Sequence, residues 1–548
     1  MSRYAYPALV VAFVLFILVP LASHGLWIPD ESRYAQIAQG MLNGGDWVAP
    51  NLLGLRYFEK PVAGYWLIAS TQALFGENLF GVRIASSLAT AISILLVFLV
   101  GRRLWQDPRK TWAATLFYMS FALIAGQAGY ANLDPQFTLY VNLSLAALWF
   151  AFDSQTSSAR LGYWALLGFA CAMGFMTKGF LAWLLPVIIA LPYALLHRRL
   201  REVLVYGPLA IAVAVLLCLP WALAVHLREP DYWNFFFWHE HIRRFAGTDA
   251  QHTLPFWYYV PLLFIASLPW AALIFPAFHK GWKDRRGRTT TFLLLWFFMP
   301  FLFFSLSRGK LPSYIMPCFA PLALLMADAL IDRLRQDRWR ALRINGALNL
   351  AVGGLALLTL TYLQSTKPLY HGETPSLVML AIACSVWALC GALQLARPAT
   401  LWAAPALGLW LLVALVPAAL PERVVNSKTP DRFILEHLDE LRGSSSLLSN
   451  DLGAATALAW RLSRRDVDLL NTTGELKYGL AYPEAGGRSI PLSELQAWMD
   501  CARQRGPVGV LLRMNSDRDE GELAQMPKDA VSYRRGRLVL LLIPRSSP

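Results

Sequence analysis

The chain has 548 residues, of which 56% are hydrophobic and only 15% charged, with a formal net charge of +14. Because soluble domains average about 25% charged residues, this composition excludes a wholly soluble protein and predicts a chain largely surrounded by lipid. The net charge does not indicate a nucleic-acid partner, because four short loops (102–110, 198–202, 280–288 and 333–343) hold seventeen Lys and Arg against four acids, a net of +13, which is typical of loops that face the cytoplasm.

These loops orient about thirteen predicted transmembrane helices, with the amino terminus inside and the carboxyl terminus outside. The predicted spans are 6–26, 82–101, 111–129, 134–152, 161–177, 180–196, 203–225, 256–278, 290–306, 314–331, 344–363, 376–396 and 401–420. No small-x-small cleavage site follows the first apolar run, so it is predicted to be a retained helix rather than a signal peptide. The predicted fold is a polytopic α-helical membrane protein.

Two outward segments, 27–81 and 226–255, are long enough to carry a site. The first is predicted to hold short interfacial helices, one capped by Asp30 or Ser32 and ended at Gly44-Gly45. The second is crowded with aromatic residues, a composition that suits the lipid headgroup level.

From Pro421 the composition becomes mixed and polar. Apolar runs at 446–449, 467–470, 508–513 and 537–543 predict strands. The helical spacing of Leu492, Leu495, Trp498 and Met499 predicts a helix between the second and third runs. We therefore predict two domains: residues 1–420, a transmembrane catalytic domain with the two outward loops, and residues 421–548, a small α/β domain outside the membrane. Nothing in the second domain looks catalytic.

The acid pair Asp30-Glu31 opens the first outward loop. Helix capping together with an ion pair to Arg33 explains one carboxylate but not both, so the pair favours a catalytic or substrate-binding role. Outward loops are normally poor in Lys and Arg, yet these carry Arg33, Arg56, Lys60, Arg83, Lys178, Arg228, Arg243, Arg244, Arg308 and Lys310. Snorkelling at helix ends explains any single one of them. The whole set favours an outward basic cavity for lipid phosphate groups.

Individual residues in this set have more specific predicted roles. Lys60 is predicted to hold a phosphate, and Glu59 to orient it or to bind a metal. Tyr314, close to Lys310, is a candidate donor to a phosphate or a sugar. The run beginning at His239 resembles a metal-ligand cluster with Glu59 as its remote partner, so a divalent metal such as zinc is the one cofactor considered. No dinucleotide, Walker or Ser-His-Asp motif is present, which favours a donor carried on a lipid over a nucleotide sugar.

Several long motifs resemble the lipid A aminoarabinose transferases of Gram-negative inner membranes, within the GT-C glycosyltransferase superfamily. They are Trp27 to Ala35, Gly54 to Pro61, Met176 to Phe180, Arg228 to Pro230, Phe256 to Pro261, Gly309 to Pro312 and Thr473 to Leu480. The resemblance implies transfer of 4-amino-4-deoxy-L-arabinose from undecaprenyl phosphate to lipid A phosphates at the periplasmic face of the inner membrane. It also implies thirteen spans, a periplasmic carboxyl domain and resistance to polymyxin-like cationic peptides.

The resemblance also implies roles for single residues. Asp30 matches the proposed catalytic aspartate, and Lys60 and Arg244 match groups that hold the carrier phosphate, with Arg243 the alternative to Arg244. Tyr34, Tyr57, Arg33, Lys178 and Tyr314 match residues that line the cavity. Apart from the resemblance, Glu31 and Lys310 are also predicted to lie in this cavity. Glu59 and His239 match positions linked to a bound metal.

Two other functions stay open. A protein O-glycosyltransferase that uses a polyprenyl-phosphate sugar would share the architecture, but its Ser or Thr acceptor makes a general base obligatory. A lipid or ion transporter would place ionisable residues deep within spans, whereas these charges cluster at one membrane face. We expect a monomer that binds the lipid-linked donor, lipid A and membrane lipid, and no nucleic acid.

Overall fold

The computed structural model describes residues 4–238 and 253–546. The chain divides into two compact units. Unit 1 comprises Met1–Leu21, Ile84–Pro368 and Thr374–Ala419, and unit 2 comprises Ala22–Arg83, Leu369–Glu373 and Leu420–Pro548. Unit 2 therefore joins the first outward loop to the carboxyl-terminal segment, a grouping that the sequence did not predict.

Helices dominate the described ranges. In chain order they are α1 (Ala5–Phe13), α2 (Asp30–Gly44), α3 (Ala63–Phe75), α4 (Leu79–Leu104), α5 (Pro108–Ser120), α6 (Ala122–Ala128), α7 (Asp134–Asp153), α8 (Ser157–Lys178), α9 (Leu181–Leu196), α10 (Leu200–Arg228), α11 (Tyr232–Asn234), α12 (Tyr259–Ala266), α13 (Ile274–Lys283), α14 (Arg288–Leu306), α15 (Phe319–Arg335), α16 (Arg340–Thr366), α17 (Thr374–Ala396), α18 (Ala404–Ala419), α19 (Glu422–Lys428), α20 (Asp431–Glu436), α21 (Leu438–Arg442), α22 (Leu452–Leu462), α23 (Leu495–Arg505) and α24 (Asp517–Ala524). The strands are β1 (Asn51–Leu52), β2 (Leu55–Arg56), β3 (Ser446–Ser449), β4 (Val467–Leu470), β5 (Ser489–Ile490), β6 (Val508–Arg513), β7 (Val531–Arg535) and β8 (Leu538–Ile543).

Unit 1 is helical and apolar, and every predicted span coincides with helical segments. Within the described part of the chain, seven helices are long and apolar enough to cross a membrane, and two bent pairs raise the number to as many as nine. The segments Tyr6–Ala22 and Leu181–Leu196 are apolar but shorter. The protein is thus a multi-pass membrane protein, as predicted.

One predicted span is not continuous. The sequence predicted a single helix over 256–278, but the structure bends it by 116° between Phe256–Ala266 and Ala271–Lys283. The bend exposes carbonyl oxygens that need hydrogen-bond donors in a lipid environment. The Ala122 amide donates to Leu268 O at 2.8 Å, and the side chains of Asn345 and Asn349 donate to Pro269 O at 2.9 and 2.8 Å.

Unit 2 contains an α/β sheet of six strands in the order β5-β4-β3-β6-β8-β7. The first four are mutually parallel, and β8 and β7 form an antiparallel hairpin at the edge. Leu448, Val510 and Leu541 belong to its buried core. All four strands predicted from apolar runs are confirmed, as β3, β4, β6 and β8. Most residues of each strand are buried, which is why the strands appear in the sequence as apolar runs.

Helix α2 joins the first outward loop to this sheet domain. It packs on α22, where Ser32 Oγ lies 2.8 Å from Thr456 Oγ1 and donates to Gly453 O at 3.2 Å. The predicted cap is wrong: Pro29 occupies the N-cap and Asp30 is the first helical residue. Ser32 lies inside the helix as its third residue, and its hydroxyl is buried against the tail. The predicted end is confirmed, because Gly45 adopts φ 70°, a left-handed conformation that favours glycine.

Candidate active site

The predicted site residues fall into two groups, one in each unit. Unit 2 holds Asp30, Glu31, Arg33, Tyr34, Tyr57, Glu59 and Lys60, and unit 1 holds Lys178, Lys310 and Tyr314. Three further predicted residues, His239, Arg243 and Arg244, lie outside the described residues.

Asp30 lies at the amino-terminal end of α2. Residues three apart lie on one face of a helix, and Arg33 Nη2 contacts Asp30 Oδ1 at 2.7 Å. The Asp30 side chain is 46% exposed, whereas that of Arg33 is 8% exposed. The carboxylate is therefore accessible while the guanidinium that orients it is fixed by burial.

Arg33 has further partners in unit 2. It also pairs with Glu475 of the tail segment, and its guanidinium lies 5.0 Å from the centre of the Tyr34 ring. The Tyr57 hydroxyl donates to Glu475 Oε2 at 2.8 Å. Burial raises the pKa of Tyr57 well above its ordinary value, so the phenol stays protonated and remains a hydrogen-bond donor. Glu475 was not predicted as a site residue, although it lies in the tail motif, Thr473 to Leu480, that contributes to the resemblance.

Glu31, the neighbour of Asp30, has a different environment. Glu31 and Arg83 are both fully buried, and Arg83 contacts the two carboxylate oxygens at 2.8 and 2.7 Å. Arg83 also donates to the carbonyls of His24 and Gly25, and Glu31 accepts from the Trp27 amide. This bidentate pair connects the start of α4 to the loop before α2. Its burial favours a structural role for Glu31 over substrate contact.

Glu59 and Lys60 follow strand β2 and are both half-buried. The Lys60 ammonium donates to the backbone carbonyl of Glu59 at 2.8 Å. Strand β2 pairs with β1 in antiparallel orientation. This pairing orients the backbone of residues 59 and 60, which follow β2. Lys60 is therefore held on an ordered segment, as a phosphate-binding group requires.

In unit 1, Lys178 ends α8 and pairs with Asp134, the first residue of α7. Asp134 also accepts a hydrogen bond from Ser313. The Lys178 ammonium lies 4.5 Å from the centre of the Tyr314 ring, so the structure brings two predicted cavity residues together. Asp134 was not predicted. An acid before Pro135 at the outward end of a span is the signal that could have identified it.

Lys310 lies in the loop between α14 and the following turn and is 3% exposed. Its ammonium donates to the Ser307 carbonyl. Burial lowers the pKa of Lys310, since the charged form is poorly solvated there. The Lys310 side chain therefore folds back against the backbone of its own loop.

A metal needs several ligands at one point. Across residues 4–238 and 253–546, no three His, Cys, Asp or Glu side chains come together in a way that could hold a metal ion. The described residues around Glu59 do not fit a metal, and its predicted partner His239 lies outside them. The metal therefore stays a prediction.

Comparison with known proteins covers the whole chain. Residues 3–236 match the family model described as dolichyl-phosphate-mannose-protein mannosyltransferase, and residues 425–542 match the model described as arabinosyl transferase ArnT, C-terminal domain. Proteins of Pseudomonas paraeruginosa PA7 and Pseudomonas aeruginosa UCBPP-PA14, both named undecaprenyl phosphate-alpha-4-amino-4-deoxy-L-arabinose arabinosyl transferase, are 61% identical over 546 residues, with 100% of each chain covered.

A solved structure is similar in fold. The crystal structure of ArnT from Cupriavidus metallidurans bound to undecaprenyl phosphate matches with a TM-score of 0.80, at 23% identity, covering 99% of this chain and 98% of that one. The apo form matches with the same TM-score at 24% identity, covering 98% of both chains. At this identity, the similarity establishes the fold alone.

Proposed function

The chain belongs to the undecaprenyl phosphate-aminoarabinose arabinosyltransferases, and from this membership we propose that it transfers 4-amino-4-deoxy-L-arabinose from undecaprenyl phosphate to lipid A phosphate groups. It is a lipid-linked glycosyltransferase, and the resemblance drawn from its motifs is confirmed. We place the reaction at the periplasmic face of a Gram-negative inner membrane, because the basic loops orient the first outward loop away from the cytoplasm. The monomeric state stays a prediction.

The structural observation that supports the proposal is the carboxylate of Asp30, which is half-exposed and pairs with a buried arginine. The leaving group is a phosphate, which departs without a proton when its charge is stabilised. The acceptor is also a phosphate, with a second pKa near 6 as in phosphoserine, so it is already largely an anionic nucleophile. A strong general base is not required. Asp30 is proposed to orient the acceptor or to bind the ammonium of the sugar.

The basic residues have complementary proposed roles. Lys60 and Arg244, or its neighbour Arg243, are assigned to the carrier phosphate, whose developing charge they stabilise. Lys178 and Tyr314 are assigned to the cavity wall in unit 1. The pairing of Lys178 with Asp134 supports this assignment, because an ammonium in a fixed position stabilises charge without reorganisation. The outcome for the cell is a less anionic lipid A and resistance to polymyxin.

The test is mass spectrometry of lipid A from a transferase-deficient host that makes the donor and expresses this chain. We expect an adduct with the mass of one aminoarabinose unit, and its loss when Asp30 is replaced by Asn. The absence of an adduct, with folded protein in the membrane and donor available, would contradict the proposal.

A second candidate function is transfer of a polyprenyl-phosphate sugar to protein. The match of residues 3–236 to a protein mannosyltransferase model supports it. A Ser or Thr acceptor must lose its proton, so Asp30 would then act as a general base. Glycosylated periplasmic protein together with unmodified lipid A would favour this alternative.

A further inference from the structure

Helix α3 has the reverse of the polarity that water favours. It contains no charged residue. Its glutamine, Gln72, is buried, whereas Leu74 and Phe75 are 78% and 47% exposed. The Gln72 side chain donates to Ala35 O and accepts from the Trp460 indole, each at 3.3 Å, so its polar atoms are used inside unit 2. A helix that borders water has its charged and polar residues on the outer side instead.

The outer side of α3 is one continuous surface, which we call the α3 face. Four of its residues have the i, i+4, i+7, i+8 spacing of one helical side and are exposed or half-buried: Trp66, Ser70, Ala73 and Leu74. The hydroxyl of Ser70 donates to Trp66 O at 2.7 Å and is thus satisfied within the helix. Trp47, which is 36% exposed, lies beside this face, because its carbonyl accepts from the Trp66 indole at 2.8 Å. Tryptophan is enriched at membrane–water interfaces.

The path of the chain identifies what covers this face. Only Gly76, Glu77 and Asn78 separate α3 from α4, a helix that is long and apolar enough to cross a membrane. Since consecutive Cα atoms are about 3.8 Å apart, the end of α3 lies within about 15 Å of the start of α4. The carboxyl end of α3 is therefore at the surface of the bilayer that α4 enters. Lipid is the apolar material within reach of Leu74 at this level.

We propose that the α3 face is a lipid-contact surface, so that α3 lies in the headgroup region of the outer leaflet with Leu74 and Phe75 against the acyl chains. Interfacial helices bury their apolar face about 5–10 Å into this boundary. Helix α3 begins three residues after Lys60, so a helix at this depth holds the Lys60 ammonium at the level of lipid phosphate groups. The consequence for Lys60 rests on the proposed function, whereas the lipid contact does not.

The first test measures membrane depth with a nitroxide label on the full-length chain. All six cysteines lie in the described ranges and only Cys501 is exposed, so Cys501→Ser removes the competing thiol. Leu74→Cys is then labelled in vesicles of phosphatidylethanolamine and phosphatidylglycerol. Collisions with oxygen, which dissolves in lipid, are compared with collisions with a water-soluble nickel chelate. The oxygen-to-nickel ratio is expected to be severalfold higher at Leu74 than at Val531→Cys, the matched control, whose exposed apolar side chain lies on β7.

The other outcomes at Leu74 overturn the proposal. Nickel collisions as frequent as at Val531 mean that the α3 face borders water. Protection from both reagents means that protein covers the face, and a dimer in size exclusion would identify a second copy as the cover. If Leu74→Cys does not fold, as judged by thermal melting, Ser70→Cys on the same face decides, and a high oxygen-to-nickel ratio is expected there as well.

A second test addresses the consequence for Lys60. A carboxylate at Leu74 disfavours contact with acyl chains, so Leu74→Glu is expected to lower the initial rate of transfer in vesicles about tenfold, the scale of moving one leucine from lipid to water. Val531→Glu is the control and is expected to transfer as wild type does. Both variants are expected to melt as wild type does, because both side chains are exposed. In detergent micelles, which adapt to the protein surface, Leu74→Glu is expected to recover the wild-type rate.

Two results contradict the role assigned to the depth of Lys60. One is an equal rate for wild type and Leu74→Glu in vesicles. The other is an equal loss in vesicles and micelles, which would mean local damage to the site.

The label separates failure of this inference from failure of the proposed function, because it requires no turnover. No transfer by wild type contradicts the proposed function and the consequence for Lys60, and the label alone then decides the lipid contact. A water-exposed Leu74 in a chain that does transfer aminoarabinose contradicts the lipid contact alone.

Discussion

The neighbouring acids Asp30 and Glu31 have opposite environments, because consecutive residues of a helix face different sides of it. Asp30 faces the half-exposed side of α2, whereas Glu31 is buried against Arg83. For Asp30→Asn we expect a loss of transfer of about a hundredfold or more, the scale of removing a group that stabilises a transition state. The loss is expected to persist from neutral to alkaline pH, measured as initial rates of lipid A modification.

The control for Asp30 is Asp439→Asn, an exposed acid on α21, which is expected to leave the rate unchanged. Recovery of Asp30→Asn simply by raising the pH would contradict the orienting role. That outcome would favour a general base instead, because a higher pH supplies the deprotonated nucleophile that the base normally produces.

Glu31 is expected to affect stability rather than chemistry. Removing one partner of a buried ion pair costs about 3–5 kcal/mol, since the other charge is left uncompensated. Glu31→Gln and Arg83→Met are each expected to lower the melting temperature in detergent strongly. Asp30→Asn is the matched comparison, and it is expected to melt as wild type does. A Glu31→Gln protein with normal melting and no activity would contradict this prediction. It would support the predicted role of Glu31 in the substrate cavity.

At the scale of elements, the bend after α12 depends on two side chains of α16. Asn345 and Asn349 are both buried and satisfy the Pro269 carbonyl. An unsatisfied buried acceptor costs about 1–3 kcal/mol, so the double replacement, which removes both donors, is expected to destabilise by that amount or more. Asn349→Leu alone is expected to cost less, since Asn345 still donates to the Pro269 carbonyl. Thermal melting measures it. Thr361→Ala, an exposed position on the same helix, is the control, and equal melting of all variants would contradict the prediction.

The sequence predicted elements well and their junctions poorly. Apolar runs identified β3, β4, β6 and β8 because burial requires apolar residues wherever a strand crosses the core. The bend at Leu268 was missed because both of its halves are apolar, and the groups that stabilise it lie about eighty residues further along the chain. Hydropathy records how apolar a segment is. It does not record which distant side chain satisfies a broken helix.

The candidate site shows the same limit. Asp30 and Lys178 were predicted because a charge beside an apolar run is conspicuous. Asp134 and Glu475 were missed because each is unremarkable in its own segment, and its partner, Lys178 or Arg33, is remote in sequence. Pairing between distant segments follows from the fold, so local patterns could not reveal it.

At the scale of the molecule, unit 2 is assembled from the first loop and the tail. Removing residues 420–548 is expected to abolish transfer and to leave residues 22–83 without the surface on which α2 packs. Limited proteolysis from the outward side measures this, and the first loop is expected to be cleaved much faster in the truncated chain. Equal cleavage rates in the truncated and full-length chains would contradict the prediction.

The same pairing fixes an order of events during biosynthesis. The segment with Asp30 and Arg33 leaves the ribosome early, but Glu475 follows some four hundred and forty residues later. At about 5–20 residues per second, the loop is exposed for roughly 20–90 s before its partner exists. A nascent or prematurely terminated chain therefore has Asp30 and Arg33 but lacks the Glu475 carboxylate that pairs with Arg33 in the full chain. The group formed by Asp30, Arg33 and Glu475 is therefore complete only after the last domain has been synthesised.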